Sequence, residues 1–324
     1  MSYWQEKIKI KNLLFPRFMG GPLDGITDSP FRQLVRQFSK DELLYTEMRH
    51  VACIANDKGG QKALRFEQLE RPLNYQIAAN KVEYLAPAIH KILEKKVDVV
   101  DLNIGCPARN VIGSGSGSAL MADLPRLKTI LLFLRKELKD IPFTIKIRAG
   151  FKQNNALEVA KLAQDCGVDA LAIHPRLQRQ RFEGRPDYSI AAEVKKALSI
   201  PVIISGGVVN FKTAKLVYEQ TGVDGYLIGR GIWSKPWKLK ELHEHSLGRP
   251  FAVNNEIILQ CALAQLDKMV DFYGNKGLFC FRKHLPFYIK GKASACHLRR
   301  TLLVSKSVEE VRDGLTQFLG LKGV

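Results

Sequence analysis

Cys106 stands in Asn103-Ile104-Gly105-Cys106-Pro107, directly after a strand-like run at 97–102. A small-residue loop follows it, Gly113-Ser114-Gly115-Ser116-Gly117-Ser118-Ala119-Leu120. A thiol has an ordinary pKa near about 8.5, so at neutral pH it is mostly protonated and can serve as a general acid. The proline behind it stiffens the loop, and the glycines around it let backbone or a ligand come close. A loop cysteine packed as a small hydrophobe has the same local look. The companions of Cys106 bear on the choice.

Polar residues stand at the ends of successive strand-like runs: Gln76, Asn103, Lys146 with Arg148, and His174 with Arg176. Each has a bland reading. Gln76 can be a satisfied interior amide, Lys146 can pair with Asp101, and His174 can be structural. Their joint occurrence is harder to explain that way, because a barrel built for stability alone fills its interior with branched apolar side chains. The last two runs end in small-residue turns, Ser205-Gly206-Gly207 and Gly229-Arg230-Gly231. Turns after the seventh and eighth strands are a common phosphate site in such barrels, where bare N–H groups face the anion. A phosphate there, with an amide and a lysine deeper in the rim, suits flavin mononucleotide (FMN). Gln76 can bond the pyrimidine edge of the isoalloxazine ring, and Lys146 can stabilise negative charge on the reduced ring.

Such a rim needs eight strands to carry it. Short apolar, β-branched runs at 13–18, 43–46, 73–77, 97–102, 143–147, 170–173, 202–205 and 225–228 meet that need. Amphipathic helical stretches at 29–37, 82–94, 124–138, 156–166, 190–198 and 212–221 alternate with them. The alternation predicts an α/β chain folded as a parallel (β/α)8 TIM barrel. A doubly wound dinucleotide fold would place GxGxxG after the first strand, and Met19-Gly20-Gly21-Pro22 stands there instead. The pattern changes at Gly248-Arg249-Pro250. Beyond it, helical stretches at 256–272, 279–290, 295–304 and 308–318 predict an all-helical C-terminal domain. The expected division is a catalytic barrel over 1–247 and a helical domain over 248–324.

The 324 residues are 46% hydrophobic, enough for a sizeable core, and 50 Lys and Arg against 32 Asp and Glu leave a net charge of +18. That excess favours a polyanionic partner, nucleic acid ahead of an acidic membrane surface. Lys276, Arg282, Lys283, Lys290, Lys292, Arg299, Arg300 and Lys306 span a stretch of the tail that holds no acid. A solvated helix face usually mixes signs. Phe279, Phe281, Phe287 and Tyr288 interleave with these charges and read as tail core. A second cluster, Arg176, Arg179, Arg181 and Arg185, follows the sixth run. The six cysteines form no CxxC pair, so neither a metal site nor a disulfide framework is expected, and Cys166, at helical spacing from Val159, Leu162 and Ala163, reads as core. The start carries no apolar leader segment and no run reaches membrane-spanning length, which predicts a cytoplasmic protein without a membrane partner. A monomer is compatible with a sequence that is silent on oligomeric state.

These motifs together resemble the tRNA-dihydrouridine synthase family. The resemblance rests on Gly25-Ile26-Thr27-Asp28-Ser29-Pro30-Phe31-Arg32, Asn103-Ile104-Gly105-Cys106-Pro107-Ala108, Gly117-Ser118-Ala119-Leu120-Met121, Lys146-Ile147-Arg148, Ile173-His174-Pro175-Arg176, Ile228-Gly229-Arg230 and Arg282-Lys283-His284-Leu285, spread over residues 12–290. It implies an FMN barrel with a helical RNA-binding domain. NADPH or NADH would reduce the flavin, and the flavin would reduce the C5=C6 bond of a tRNA uridine. It further implies that Cys106 protonates C5, that Gln76, Lys146 and His174 contact the flavin, and that Pro22, Leu23 and Asp24 line it with backbone. Ser205, Gly206, Gly207, Gly229 and Arg230 would hold its phosphate. Asn103 and Arg176 would face the uracil, and Arg282, Lys283, Arg299 and Arg300 would grip tRNA.

Three positions depart from the family's habit: Gly21-Pro22-Leu23 for Ala-Pro-Met, Ser205-Gly206-Gly207 for Asn-Gly-Asp, and Ser114 where a basic residue is frequent. A flavoprotein acting on a free pyrimidine and an RNA-binding module without catalysis stay open as alternatives. The basic tail counts against the first, and intact Cys106, Lys146 and His174 count against the second.

Overall fold

The computed structural model describes residues 3–58, 63–181 and 183–320; the outermost residues of the two expected domains, 1–2 and 321–324, lie outside it. Eight parallel strands pair in chain order: β1 (Phe18–Gly20), β2 (Leu44–Tyr45), β3 (Leu73–Ala78), β4 (Val99–Ile104), β5 (Phe143–Gly150), β6 (Ala170–Leu177), β7 (Val202–Ser205) and β8 (Gly225–Ile228). β8 returns to β1 through Tyr226 opposite Phe18, and β2 meets β3 through Leu44 opposite Leu73, so the sheet closes. This is the expected TIM barrel. Val, Ile and Leu fill the outward positions of these strands, the composition of strands buried on both faces.

The longer helices between the strands are α1 (Ser29–Phe38), α2 (Leu85–Glu94), α3 (Leu124–Leu138), α4 (Ala156–Asp165), α5 (Tyr188–Ala197) and α6 (Phe211–Thr221), and α7 (Lys238–Ser246) follows β8. Their starts follow capping chemistry: Asp28 accepts from the Phe31 amide at 3.1 Å ahead of Pro30, and Asp123 accepts from Arg126 ahead of Pro125. Cys166 is buried at the end of α4, as its spacing predicts.

Three differences from the sequence pattern have local causes. The run expected as one strand over 13–18 divides at Pro16. Leu13–Phe15 pairs antiparallel with Ile8–Ile10, and β1 begins only at Phe18. The helix expected over 279–290 is two short ones, Gly277–Phe281 and Leu285–Tyr288, because Pro286 has no N–H to continue the ladder. α7 has no counterpart in the pattern, since its run KLKELHEHS is mostly polar, with Leu239 and Leu242 its only apolar residues.

The chain forms two compact units. The first, Met1–Leu23 with Asp41–Gly229, holds all eight barrel strands; the second, Asp24–Lys40 with Arg230–Val324, holds α1, α7 and the tail helices. In the first unit Ile8, Ile10 and Phe15 of the hairpin pack with Met19, Leu43, Val99 and Leu227, sealing one end of the barrel with hydrocarbon. The second unit has its own core around Leu266, Met269, Phe281, Leu285 and Leu315. Phe281 and Tyr288 are buried, as tail core, whereas Phe279 is 65% exposed. Among the described residues no helix is long and apolar enough to cross a membrane.

Candidate active site

Side chains alternate along a strand, and Cα partners on neighbouring strands share a face. The register sets Gln76 opposite Asp101, Asp101 opposite Thr144, Asn103 opposite Lys146, and Arg148 opposite His174. With the period of two, Asn74, Gln76, Asp101, Asn103, Thr144, Lys146, Arg148, His174 and Arg176 all stand on the inner face. The residues between them, such as Tyr75, Leu102, Ile145 and Ile173, turn outward and are buried. Strands β4, β5 and β6 run further than the apolar runs alone indicate, so Asn103, Arg148, His174 and Arg176 belong to the strands themselves.

Hydrogen bonds join these groups in a chain. The Cys106 amide donates to Asn103 Oδ1 at 2.8 Å, and the Gly105 amide donates to the same oxygen at 3.0 Å. Asn103 Nδ2 donates to Gln76 Oε1 at 2.9 Å, and Gln76 Nε2 donates to Asp101 Oδ2 at 2.8 Å. From the other side Asn74 Nδ2 donates to Thr144 Oγ1 at 3.0 Å, and that hydroxyl donates to Asp101 Oδ1 at 2.6 Å. The Cys106 carbonyl accepts from the Ser118 amide and the Ser118 hydroxyl, at 3.1 and 2.9 Å. Gly117 makes this clamp possible. It has φ +59°, and a Cβ there would come within 2.9 Å of the Cys106 carbonyl oxygen. The thiol therefore projects, half-buried, from a loop fixed on both of its main-chain sides.

Cations surround this loop. Arg148, 2% exposed, donates through Nε to the Gly105 carbonyl at 2.8 Å and through Nη1 to the carbonyls of Leu177 and Arg181. Burial pushes the Lys146 ammonium down to about 8, with Arg148 adding to the effect and Asp101 and Cys106 opposing it. Burial likewise raises the Asp101 carboxyl to about 6, against the bonds from Thr144 and Gln76. The carboxylate considered as a partner for Lys146 is thus engaged with Gln76 and Thr144. Arg176 Nη1 lies 2.8 Å from His174 Nε2. A guanidinium only donates, so Nε2 accepts and the ring carries its proton on Nδ1.

The turn after β7 requires glycine. Gly206 has φ +98° and Gly207 φ +85°. A Cβ on Gly206 would lie 2.6 Å from His174 Cδ2, and one on Gly207 would run into the Tyr188 hydroxyl. Ser205 is buried just before them. Gly229 after β8 has ordinary space around it, with Leu23 Cδ2 at 3.9 Å from a built Cβ. At Gly21 a Cβ would sit 3.1 Å from Leu227 Cγ and 3.2 Å from the Ile228 carbonyl, so an alanine there needs its neighbours to give by a few tenths of an ångström. Pro22 and Leu23 are half-buried beyond β1; Asp24 and Arg230, both exposed, are the first residues of the second unit's two segments.

This set fits FMN on its own chemistry. A glycine turn after β7 with bare backbone, an amide held with one N–H toward Asp101, and a cation are what a phosphate, a pyrimidine edge and an electron-rich reduced ring require.

The tail cations differ among themselves. Arg299 and Arg300 are exposed. Lys283 is exposed and its ammonium lies where a Cβ on Gly25 would go. Arg282 is half-buried and donates to the Ser305 carbonyl at 2.7 Å. Arg176, read with the exposed cluster after the sixth strand, is 5% exposed and donates to the Gly184 carbonyl; Arg179, Arg181 and Arg185 are the exposed members. His284 of the same tail motif is buried, stacks on Phe31, meets the Ser234 hydroxyl at 3.1 Å, and is pushed down to about 3 by burial and Lys283, so it is neutral core. Residues not singled out from sequence also complete the rim: Thr144 by strand alternation, and Ser118 by its place in the clamp.

Comparison with known proteins gives the family of the chain. The family model described as dihydrouridine synthase (Dus) matches residues 19–319. The chain is 32% identical over 321 residues to a probable tRNA-dihydrouridine synthase 1 of Synechocystis sp., covering 98% of this chain and 90% of that one. It is 34% identical over 282 residues to tRNA-dihydrouridine synthase B of Pseudomonas aeruginosa, covering 84% and 83%. The old yellow enzyme homologue from Zymomonas mobilis superposes with a TM-score of 0.57 over 78% of this chain and 95% of that one, at 12% identity, a likeness of fold. The chain belongs to the dihydrouridine synthase family and is, with it, a flavin-dependent oxidoreductase acting on tRNA.

Proposed function

We propose that this chain is a cytoplasmic, FMN-dependent tRNA-dihydrouridine synthase that reduces the C5=C6 bond of uridine in tRNA, with NADPH or NADH as electron source and Cys106 as proton donor. The observation that carries the proposal is Cys106 itself: a half-exposed thiol whose loop is fixed on both sides, above an inner face of amides and cations. When bound, FMN supplies the hydride that adds to uracil C6. Cys106 supplies the proton that adds to C5, so the base gains two hydrogens and the nicotinamide is oxidised. Lys146 offsets negative charge on the reduced ring, Gln76 and the Nδ1–H of His174 orient it, and Pro22, Leu23 and Asp24 flank it with backbone. Ser205, Gly206, Gly207, Gly229 and Arg230 hold the phosphate. Asn103 and Arg176 face the uracil side. A uridine must leave its stack to reach such a mouth, as for other base-modifying enzymes.

The test is direct. Protein purified yellow, or reconstituted with FMN, is incubated with NADPH and either unmodified tRNA or free uracil, and dihydrouridine is measured by mass spectrometry. Reduction of tRNA and not of uracil is expected; a colourless protein that takes up no FMN, or one that reduces free uracil equally well, overturns the reading. Replacing Lys283, Arg299 and Arg300 with Ala should weaken tRNA binding and flatten its salt dependence, because fewer counterions are released. Equal affinities and slopes would show that these charges serve another purpose.

A further inference from the structure

We propose that Asp101 is a positioning residue, whose buried carboxylate sets the direction of the amide chain through Gln76 and Asn103 and so holds the main chain of Cys106. The inference deepens the synthase reading and rests on it for the role of Cys106. Asp101, Gln76 and Asn74 are at most 1% exposed, and Asn103 is 6% exposed. A primary amide can be turned end for end at little cost, so nothing in Gln76 or Asn103 alone decides which end donates. A carboxylate accepts only. It receives Gln76 Nε2, which leaves Gln76 Oε1 to accept from Asn103 Nδ2, which leaves Asn103 Oδ1 to accept from the amides of Gly105 and Cys106. Every donor in the chain points back to one acid. Thr144 and Asn74 approach the other carboxylate oxygen with the same polarity. Without the acid, Gln76 and Asn103 can reverse together. Asn103 would then present N–H groups to two main-chain N–H groups, and the loop would lose both bonds.

A local readout separates this role from plain packing. Removing the buried acid strands the donors of Gln76 and Thr144 and so costs stability by itself. Asp101→Leu is therefore expected to melt lower than wild type, while hydrogen exchange at the Gly105 and Cys106 amides, measured on the apoprotein by mass spectrometry, rises about tenfold more than at the amides of the hairpin over 8–15, the factor one ordinary lost hydrogen bond commands. In the FMN-loaded enzyme kcat on tRNA should fall by about tenfold or more with KM for tRNA unchanged, because the thiol loses its position and the RNA grip does not. Asp101→Asn should fall between Asp101→Leu and wild type in both readouts. Its oxygen can still accept from Gln76, but a primary amide can turn and no longer fixes which end of Gln76 faces it.

Unchanged amide exchange in Asp101→Leu overturns the proposal, as does a loss confined to KM. Should Asp101→Leu not fold, Gln76→Leu decides, since it cuts the same chain one link further on and leaves Asp101 in place. Wild-type exchange at Gly105 and Cys106 in that variant also overturns the proposal. A wild-type protein that makes no dihydrouridine, with exchange raised in Asp101→Leu, would sink the synthase reading and leave the hydrogen-bond assignment standing.

Discussion

The two ends of the barrel are built from the same strands and differ in almost everything else. Along the inner face of β4 the side chains run Val99, Asp101, Asn103; along β6 they run Ala170, Ala172, His174, Arg176. At the lower end Val99 and the two alanines meet Met19, Leu43 and the hairpin residues Ile8, Ile10 and Phe15. At the upper end β4 and β6 finish on groups that donate or accept hydrogen bonds. Hydrocarbon burial at about 25 cal/mol per Å² can stabilise one end without directional demands. The other end tolerates buried polar groups because they bond one another in a directed chain. The comparison teaches that in this molecule stability and chemistry are separated by only two residues of strand.

The largest expected effect tests the upper end. Cys106→Ala should lower tRNA reduction by about 10²–10⁴-fold, the usual worth of a general acid. Its melting temperature should stay near wild type, since the half-exposed thiol supports little packing, and NADPH should still reduce the flavin. Rapid-mixing absorbance for flavin reduction and dihydrouridine counts for tRNA turnover separate the two halves. Near-normal tRNA turnover with a lowered melting point would make Cys106 a packing residue, and the two ends less different than they look.

A smaller effect, of opposite kind, tests the lower end. Ile10 is fully buried in the hairpin that seals the barrel. Ile10→Ala should cost about 2–5 kcal/mol of stability through lost burial and the cavity left behind. Turnover per folded molecule should remain within about twofold if the ends are independent, because distant sites without shared partners usually act additively. Urea unfolding alongside activity at a temperature where both proteins are folded gives the answer. A loss of kcat that tracks the loss of stability would join the hairpin to the catalytic loop.

How much of this was readable in the sequence follows the same division. The β-branched runs of β3, β4, β7 and β8 mark strands because apolar periodicity survives in a single chain. The rim could be read as a series because polar residues interrupt those runs at one end. The hairpin is harder to read: Pro16 and Arg17 interrupt the run from Leu13 to Phe18, yet only the pairing with Ile8–Ile10 shows that its two halves belong to different sheets. The partner of Asp101 was hidden too. Its neighbour Gln76 is set by strand register, 25 residues away in sequence, and sequence places Lys146 as easily beside it. Arg176 and Arg282 counted toward charge clusters, yet each donates to a main-chain carbonyl. A tally of cations cannot show which of them are engaged in the fold.

The smallest effect concerns a group where fold and chemistry pull in opposite directions. The Lys146 ammonium is pushed down to about 8 by burial and by Arg148. Its folded pKa lies below the unfolded value of about 10.4, so between the two the unfolded chain binds more protons, and folding stability of the apoprotein rises with pH across that window. The cation proposed to face FMN moves the other way: present below about 8, it is lost as pH rises through that value. From pH 7 to 9 the apoprotein should therefore melt somewhat higher while its affinity for FMN, followed by flavin fluorescence quenching, falls by a few-fold. Asp101, raised to about 6, is ionised throughout that range and contributes a constant charge. Lys146→Met should bind FMN more weakly and with a flat profile from pH 7 to 9. If that variant keeps the wild-type decline, another group of the rim titrates there, and the lysine is not the cation on which flavin binding depends.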